Sequence, residues 1–288
     1  MSSKVSSNSS NETFKPDLFK GKVIFCTGGR SGICYSIVQS LMSLGADACI
    51  VGRDAKGLQE SAERLQQQTG RKCLAAAADV RDPKSLSEAV RKTEERFGRI
   101  DHVICGAAGN FLAPISNLSE NAFRTVVEID LLGTYNTIRA TLPLVRQSRG
   151  SYIHISATLH YRGTPYQAHV SAAKAGVDAL SRALAAEEGP RGVRSNVIAP
   201  GPIAGTEGMD RLLPKGKKVD TEIPLQRQGS TTDIANAAIF LLSPAAAYIT
   251  AATLVVDGGH WHTASQIMSY PEGVLDPESV KKSIRSRL

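Results

Sequence analysis

The chain has 288 residues, 42% hydrophobic and 21% charged, which excludes a disordered, collagen-like or coiled-coil protein and leaves enough apolar material for a core with a ligand cleft. Thirty-four Lys and Arg against 27 Asp and Glu give a net charge of +7, compatible with nucleotides, coenzyme A, nucleic acid or a membrane surface as partners without choosing among them. No apolar run reaches the roughly 18 residues of a membrane helix, and the polar start lacks the apolar stretch of a secretory signal. The five cysteines (Cys26, Cys34, Cys49, Cys73 and Cys105) show neither CxxC nor Cys/His zinc spacing. They read as buried thiols in a reducing setting, with no metal site expected.

Residues 1–18 are rich in Ser and Asn and are expected to form a mobile polar arm. From Lys22 onward, short apolar, largely β-branched runs alternate with helical stretches. Strands are predicted over 22–28, 47–53, 72–80, 101–109, 151–157, 194–201 and 253–259. Helices are predicted from the first glycine turn to Leu44, from 54 to Gln68, and over 83–97, 119–147 and 168–187. Seven apolar strands separated by helices predict βαβ units. The expected fold is α/β: a single doubly wound Rossmann domain over 19–270, its seven-stranded, mainly parallel sheet covered by helices on both faces. Residues 201–224, rich in Gly, Pro and Lys, are the expected substrate lid, and 271–288 form a tail with a basic ending.

The first strand runs directly into Thr27-Gly28-Gly29-Arg30-Ser31-Gly32-Ile33-Cys34, and a helix follows. Glycines there let the backbone approach a pyrophosphate, and the helix N-terminus supplies amide donors and a positive dipole end. The second strand ends in Arg53-Asp54, where a site preferring NAD would usually place an acid for the ribose 2′-hydroxyl. Arg53, with Arg30 from the turn, instead offers cations to a 2′-phosphate, so NADPH is the expected cofactor. Asp79-Val80, ending the third strand, are placed to accept from the adenine amino group.

These residues resemble the short-chain dehydrogenase/reductase family from about Phe19 to Gly259. Further matching motifs are Gly106-Ala107-Ala108-Gly109, Lys174, Asn196-Val197-Ile198-Ala199-Pro200-Gly201 and Val256-Asp257-Gly258-Gly259. The resemblance implies a nicotinamide cofactor along Ala107, Ala108, Gly109, Pro200, Gly201, Pro202, Ile203 and Thr206, and a homo-oligomer, either tetramer or dimer. The departures carry as much information. The turn's third glycine is Cys34, which must fit a tight space, although a reactive thiol at the helix N-terminus is the alternative. The family's Tyr is Val170, its Ser is Ala157 and its helix Asn is Asp130, so of the usual catalytic set Lys174 alone is kept.

A carbonyl reductase needs an acid for the developing alkoxide, which the Tyr supplies. Without it the chain is either a non-catalytic NADPH-binding scaffold or sensor, or an enzyme whose reaction does not end in an alcohol. Gly106–Phe111 and Ala199–Gly208 resemble the 2,4-dienoyl-CoA reductase branch of the family. Within that branch, the missing Tyr, Asp130 and Leu159 resemble the peroxisomal rather than the mitochondrial type. Another enoyl-CoA or carbonyl reductase of the family is the alternative enzyme. Ser286-Arg287-Leu288 resembles a peroxisomal address, which implies an import receptor as partner and the peroxisomal matrix as location. On this resemblance Lys174 holds the nicotinamide ribose and Asp130 polarises a water that protonates carbon. Asn110 donates to the thioester oxygen, and Phe111 packs the acyl chain. Arg81, Arg211, Ser119, Glu120 and Asn121 are candidates for coenzyme A. His160, Tyr161, Tyr166 and His169 lie near the active-site segments, but none occupies the position of the family's Tyr. Aromatics are 5% and the cations are dispersed apart from the tail, so nucleic acid is not an expected partner.

Overall fold

The computed structural model describes residues 13–206, 209 and 219–263. Its strands are β1 (Val23–Thr27), β2 (Asp47–Gly52), β3 (Cys73–Ala77), β4 (His102–Cys105), β5 (Ser151–Ile155), β6 (Arg194–Pro200) and β7 (Thr253–Val256). They form one sheet in the order β3-β2-β1-β4-β5-β6-β7, every pairing parallel. β1 sits between β2 and β4, with Ile24 opposite both Ala48 and His102. The strand order reverses there, and a crevice opens above the carboxyl ends of β1 and β4.

A sheet covered on both faces needs strands that are apolar throughout, and β1 is buried at all five positions. Its side chains alternate between two cores. Ile24 and Cys26 pack with Ile37, Leu41, Ile234 and Ile239, whereas Phe25 packs with Val51, Val103, Tyr152 and Val145. The first core lies under helices α1 (Gly32–Ser43) and α7 (Thr231–Leu242). Outside the second lie α3 (Pro83–Phe97) and α5 (Gly133–Ser148). The remaining helices are α2 (Ala55–Thr69), α4 (Glu120–Val127), α6 (Ala168–Glu188) and the short α8 (His260–Thr263). Local chemistry sets their ends. Asp54 caps α2 by accepting from the Gly57 amide, and Gly70 closes it at φ 67°.

The structure differs from the sequence reading in several places. The stretch expected as one helix over 119–147 is α4, a π-turn (Glu128–Leu132) and α5. The Gly133 amide bonds the Glu128 carbonyl, so one extra residue is accommodated and the helix face is re-aimed at that point. Helix α7 was not anticipated, although Ser230 and Asp233 form the reciprocal capping box that marks its start. The polar arm placed at 1–18 ends earlier, because Phe14 and Leu18 pack against the first core. Both ends of the expected lid are tied down: Ile203, Val219 and Ile223 are buried, and Ile203 bridges to Gly229. Arg211 within the lid, the tail 271–288 and its Ser286, Arg287 and Leu288 lie outside the described residues. All five cysteines are free and buried, and burial pushes the Cys49 thiol up to about 12. Among the described residues no helix is long and apolar enough to cross a membrane.

Candidate active site

The crevice between β1 and β4 is a cleft of about 390 Å³. Gly28 opens it at φ 74°, where a Cβ would come within 2.7 Å of the Gly106 carbonyl oxygen. Only a glycine lets the end of β1 approach the end of β4 so closely. The Thr27 hydroxyl ties the two ends together by accepting from the Gly106 amide at 3.2 Å. Ser31 stands at the N-cap of α1 without capping it through its side chain, so the first-turn amides keep their capacity for an anion. Cys34 is buried, and its sulfur fills the space where a Cβ on residue 106 would stand. The departure at the third glycine is therefore a packing exchange: a thiol on the helix is accommodated by a glycine across from it.

Twelve of the residues expected to hold the cofactor line the cleft: Gly28, Arg30, Ser31, Gly32, Ile33, Arg53, Asp54, Asp79, Val80, Ala107, Ala108 and Thr206. Ile129 and Ile155 also line it, and the sequence reading did not name them. Gly29, Gly109, Lys174, Pro200, Gly201, Pro202 and Ile203 lie outside the lining. Gly29 instead packs on Ile50, where a Cβ would come within 2.7 Å of Cγ2. The Arg30 Nη1 is 3.6 Å from Asp54 Oδ2 at the exposed rim. Arg81 chelates Asp79, with Nη2 to Oδ2 at 2.6 Å and Nε to both oxygens at 3.1 Å. That guanidinium holds the Asp79 carboxyl below its usual range. Arg81, expected at the coenzyme A rim, thus stands beside Asp79 at the end of β3. The Val80 carbonyl is also engaged, accepting from Asn136 at 3.0 Å.

Next to Ile129, which lines the cleft, the π-turn carries Asp130, fully buried. One carboxylate oxygen, Oδ1, accepts from the Gly109 amide at 2.7 Å, and Oδ2 lies 3.0 Å from Lys174 Nζ. Lys174, on α6, also donates to the Ile155 carbonyl at 3.0 Å. An aspartate, a lysine and the loop after β4 are thereby locked together. The position of the family's Tyr, Val170, is buried among Val126 and Ala173. No hydroxyl stands there to serve as an acid.

Asn110 follows Gly109 and has a buried Oδ1 without a hydrogen-bond partner. The Phe111 ring stacks on His169, with centroids 4.3 Å apart. Ser119 caps α4 by accepting from the Ala122 amide at 3.2 Å, a structural role that sequence alone did not separate from a binding one. Glu120 borders a groove of about 600 Å³ with Ile115, Leu118, Phe123, Arg124, Val127 and Ala168, whereas Asn121 and Arg81 lie outside its lining. Arg124 is a cation at this groove that the sequence reading missed, because nothing in sequence distinguishes it from any exposed arginine. His160 and Tyr161 are engaged elsewhere, both on Asp178 at 2.8 and 3.4 Å. Tyr166 is exposed in the left-handed region at φ 66°.

A glycine turn feeding a helix N-terminus at the strand switch point, with a buried lysine bonded to the carbonyl of cleft-lining Ile155, defines a nicotinamide-dependent oxidoreductase of doubly wound type. The chain belongs to the short-chain dehydrogenase/reductase family, and the family model described as enoyl-(acyl carrier protein) reductase matches residues 28–260. It is 50% identical over 281 residues to the peroxisomal 2,4-dienoyl-CoA reductase, (3E)-enoyl-CoA-producing, of Saccharomyces cerevisiae, covering 96% of this chain and 95% of that one. To the enzyme of the same description in Danio rerio it is 45% identical, covering 95% and 93%. Among solved structures, a short chain dehydrogenase from Bacillus anthracis superposes with a TM-score of 0.78 at 34% identity, over 87% of this chain and 100% of that one.

Proposed function

We propose that the chain is a peroxisomal, NADPH-dependent 2,4-dienoyl-CoA reductase producing (3E)-enoyl-CoA during the degradation of unsaturated fatty acids. The observation that carries this reading is the buried Asp130–Lys174 pair beside Val170: an acid–base site built without the tyrosine that alcohol chemistry requires. The names of the yeast and fish relatives point to the same substrate, product and compartment. An import receptor and a homo-oligomeric assembly belong to the same proposal.

The cofactor fits the residues present. The uncapped first turn of α1 suits the pyrophosphate, and Arg30 and Arg53 at the rim suit a 2′-phosphate, which favours NADPH over NADH. When bound, the nicotinamide supplies a hydride to the δ-carbon of the dienoyl thioester. The Lys174 ammonium lowers the energy of the negative charge that then spreads to the thioester oxygen, and Asn110 donates to that oxygen. Asp130 holds a water at Oδ2. The electron pair of the resulting dienolate takes a proton from that water at the α-carbon, the thioester C=O re-forms, the remaining double bond lies between the β- and γ-carbons, and the hydroxide left behind is neutralised by a proton from solvent. The apolar groove beside α4 takes the acyl and pantetheine arms, with Arg124 near its edge.

The test is to mix the protein, NADPH and dienoyl-CoAs of several chain lengths and to follow the loss of NADPH absorbance. Turnover with the 3-enoyl product is expected. Tight NADPH binding without turnover of any dienoyl-CoA overturns the reading in favour of a non-catalytic sensor.

A further inference from the structure

His169 is fully buried on α6, five residues before Lys174, yet neither ring nitrogen completes a hydrogen bond. A neutral imidazole has one donor and one acceptor, and leaving either without a partner inside a protein is costly. Buried polar groups in native proteins are nearly always satisfied, so one left orphaned asks for a water or a ligand atom. Burial holds this imidazole below its ordinary range, against the opposing pull of the Phe111 backbone and of Asp130, and a neutral imidazole carries one N–H.

Its place narrows the ligand. The loop after β4 is gripped at both ends. Asp130 takes the amide of Gly109, His169 stacks on the ring of Phe111, and between them Asn110 carries a buried, unpartnered Oδ1. Ala168, the neighbour of His169, lines the apolar groove beside α4. The imidazole thus stands next to a residue of that groove and within electrostatic reach of Asp130, without itself lining the groove. Resting on the acyl-thioester reading above, we infer that His169 is a second donor to the substrate's thioester oxygen, completing with Asn110 a pair of neutral donors for the charge that develops there. A neutral donor suits the task, because it stabilises the oxyanion without handing a proton to oxygen and so directs protonation to carbon. Val170 beside it places no hydroxyl at the position of the family's Tyr.

The experiment compares the native protein with His169→Phe, which keeps the ring stack on Phe111, and His169→Gln, which restores an N–H. The carbonyl stretch of a dienoyl-CoA labelled with carbon-13 at the thioester is recorded on the NADP⁺-loaded proteins, together with kcat and the Kd for NADPH. The expected result is a carbonyl stretch lowered in the native protein and returned toward its solution value in His169→Phe. A roughly 10²–10³-fold loss of kcat, an unchanged NADPH Kd and partial recovery of both signals in His169→Gln are expected alongside. A carbonyl stretch in His169→Phe equal to that of the native protein overturns the inference, whatever happens to kcat. Native protein that shifts the carbonyl but turns nothing over overturns the reductase reading and leaves His169 in place. Failure of the native protein to bind any dienoyl-CoA overturns both.

Discussion

Lys174 Nζ lies 3.0 Å from Asp130 Oδ2, and both side chains are closed off from solvent. Removing one member of a buried pair strands the other charge, which typically costs about 3–5 kcal/mol. Asp130→Asn keeps an oxygen for the Gly109 amide but loses the charge. It is expected to lower kcat by roughly 10²–10⁴ and to lower the urea midpoint of unfolding. Adding Lys174→Met is expected to restore stability without restoring turnover. An Asp130→Asn enzyme with native kcat removes the carboxylate from the reaction.

The contact between Cys34 and Gly106 yields a double-mutant cycle. A methyl group at 106 meets the Cys34 sulfur, so Gly106→Ala is expected to cost about 1–3 kcal/mol by overpacking. Cys34→Gly makes room, and the double variant is expected to be more stable than the sum of the two single changes predicts, read from urea unfolding. Simple additivity would mean that the two residues do not compete for one space.

Arg53 lines the cleft at the end of β2. If it meets the 2′-phosphate, Arg53→Ser removes a charge-assisted hydrogen bond of about 1.5–3 kcal/mol. The Kd for NADPH is then expected to rise roughly 10–100-fold, with that for NADH nearly unchanged. Calorimetric titration with each cofactor reads the difference, and equal losses for both would place Arg53 outside the 2′ site.

Two interior histidines set a pH dependence. Burial lowers His102 and His154 from 6.5 to about 4, and each bonds a serine hydroxyl, Ser151 at 2.8 Å and Ser195 at 3.0 Å. Between pH 6.5 and 4 the unfolded chain binds protons that the folded rings refuse. Their contribution is fully present above pH 6.5 and is lost as pH falls toward 4, by roughly 1 kcal/mol per pH unit for each ring. Urea unfolding across this window is expected to flatten in His102→Gln and again in His154→Gln.

The capping box that starts α7 is a local test of the first core. Ser230 accepts from the Asp233 amide at 3.2 Å, and Asp233 accepts from the Ser230 amide at 2.6 Å. Ser230→Ala is expected to cost about 1 kcal/mol, measured as a lowered thermal midpoint with NADPH affinity retained.

The strand and helix alternation was legible in the sequence, because a sheet covered on both faces demands uniformly apolar strands of a kind that β1 displays. So was the cleft, since a glycine turn directly after the first strand can close only over the β1–β4 switch point. Lys174 and Asp130 were legible as residues, but their pairing was not. The π-turn that buries Asp130 depends on α4 and α5 packing around one extra residue, which no local propensity records. Three facts emerge only on folding: Arg81 belongs to Asp79, Cys34 fills the space facing Gly106, and His169 lies buried against Phe111. Those facts are distances between residues far apart in the chain, and they are set by how the helices close over the sheet.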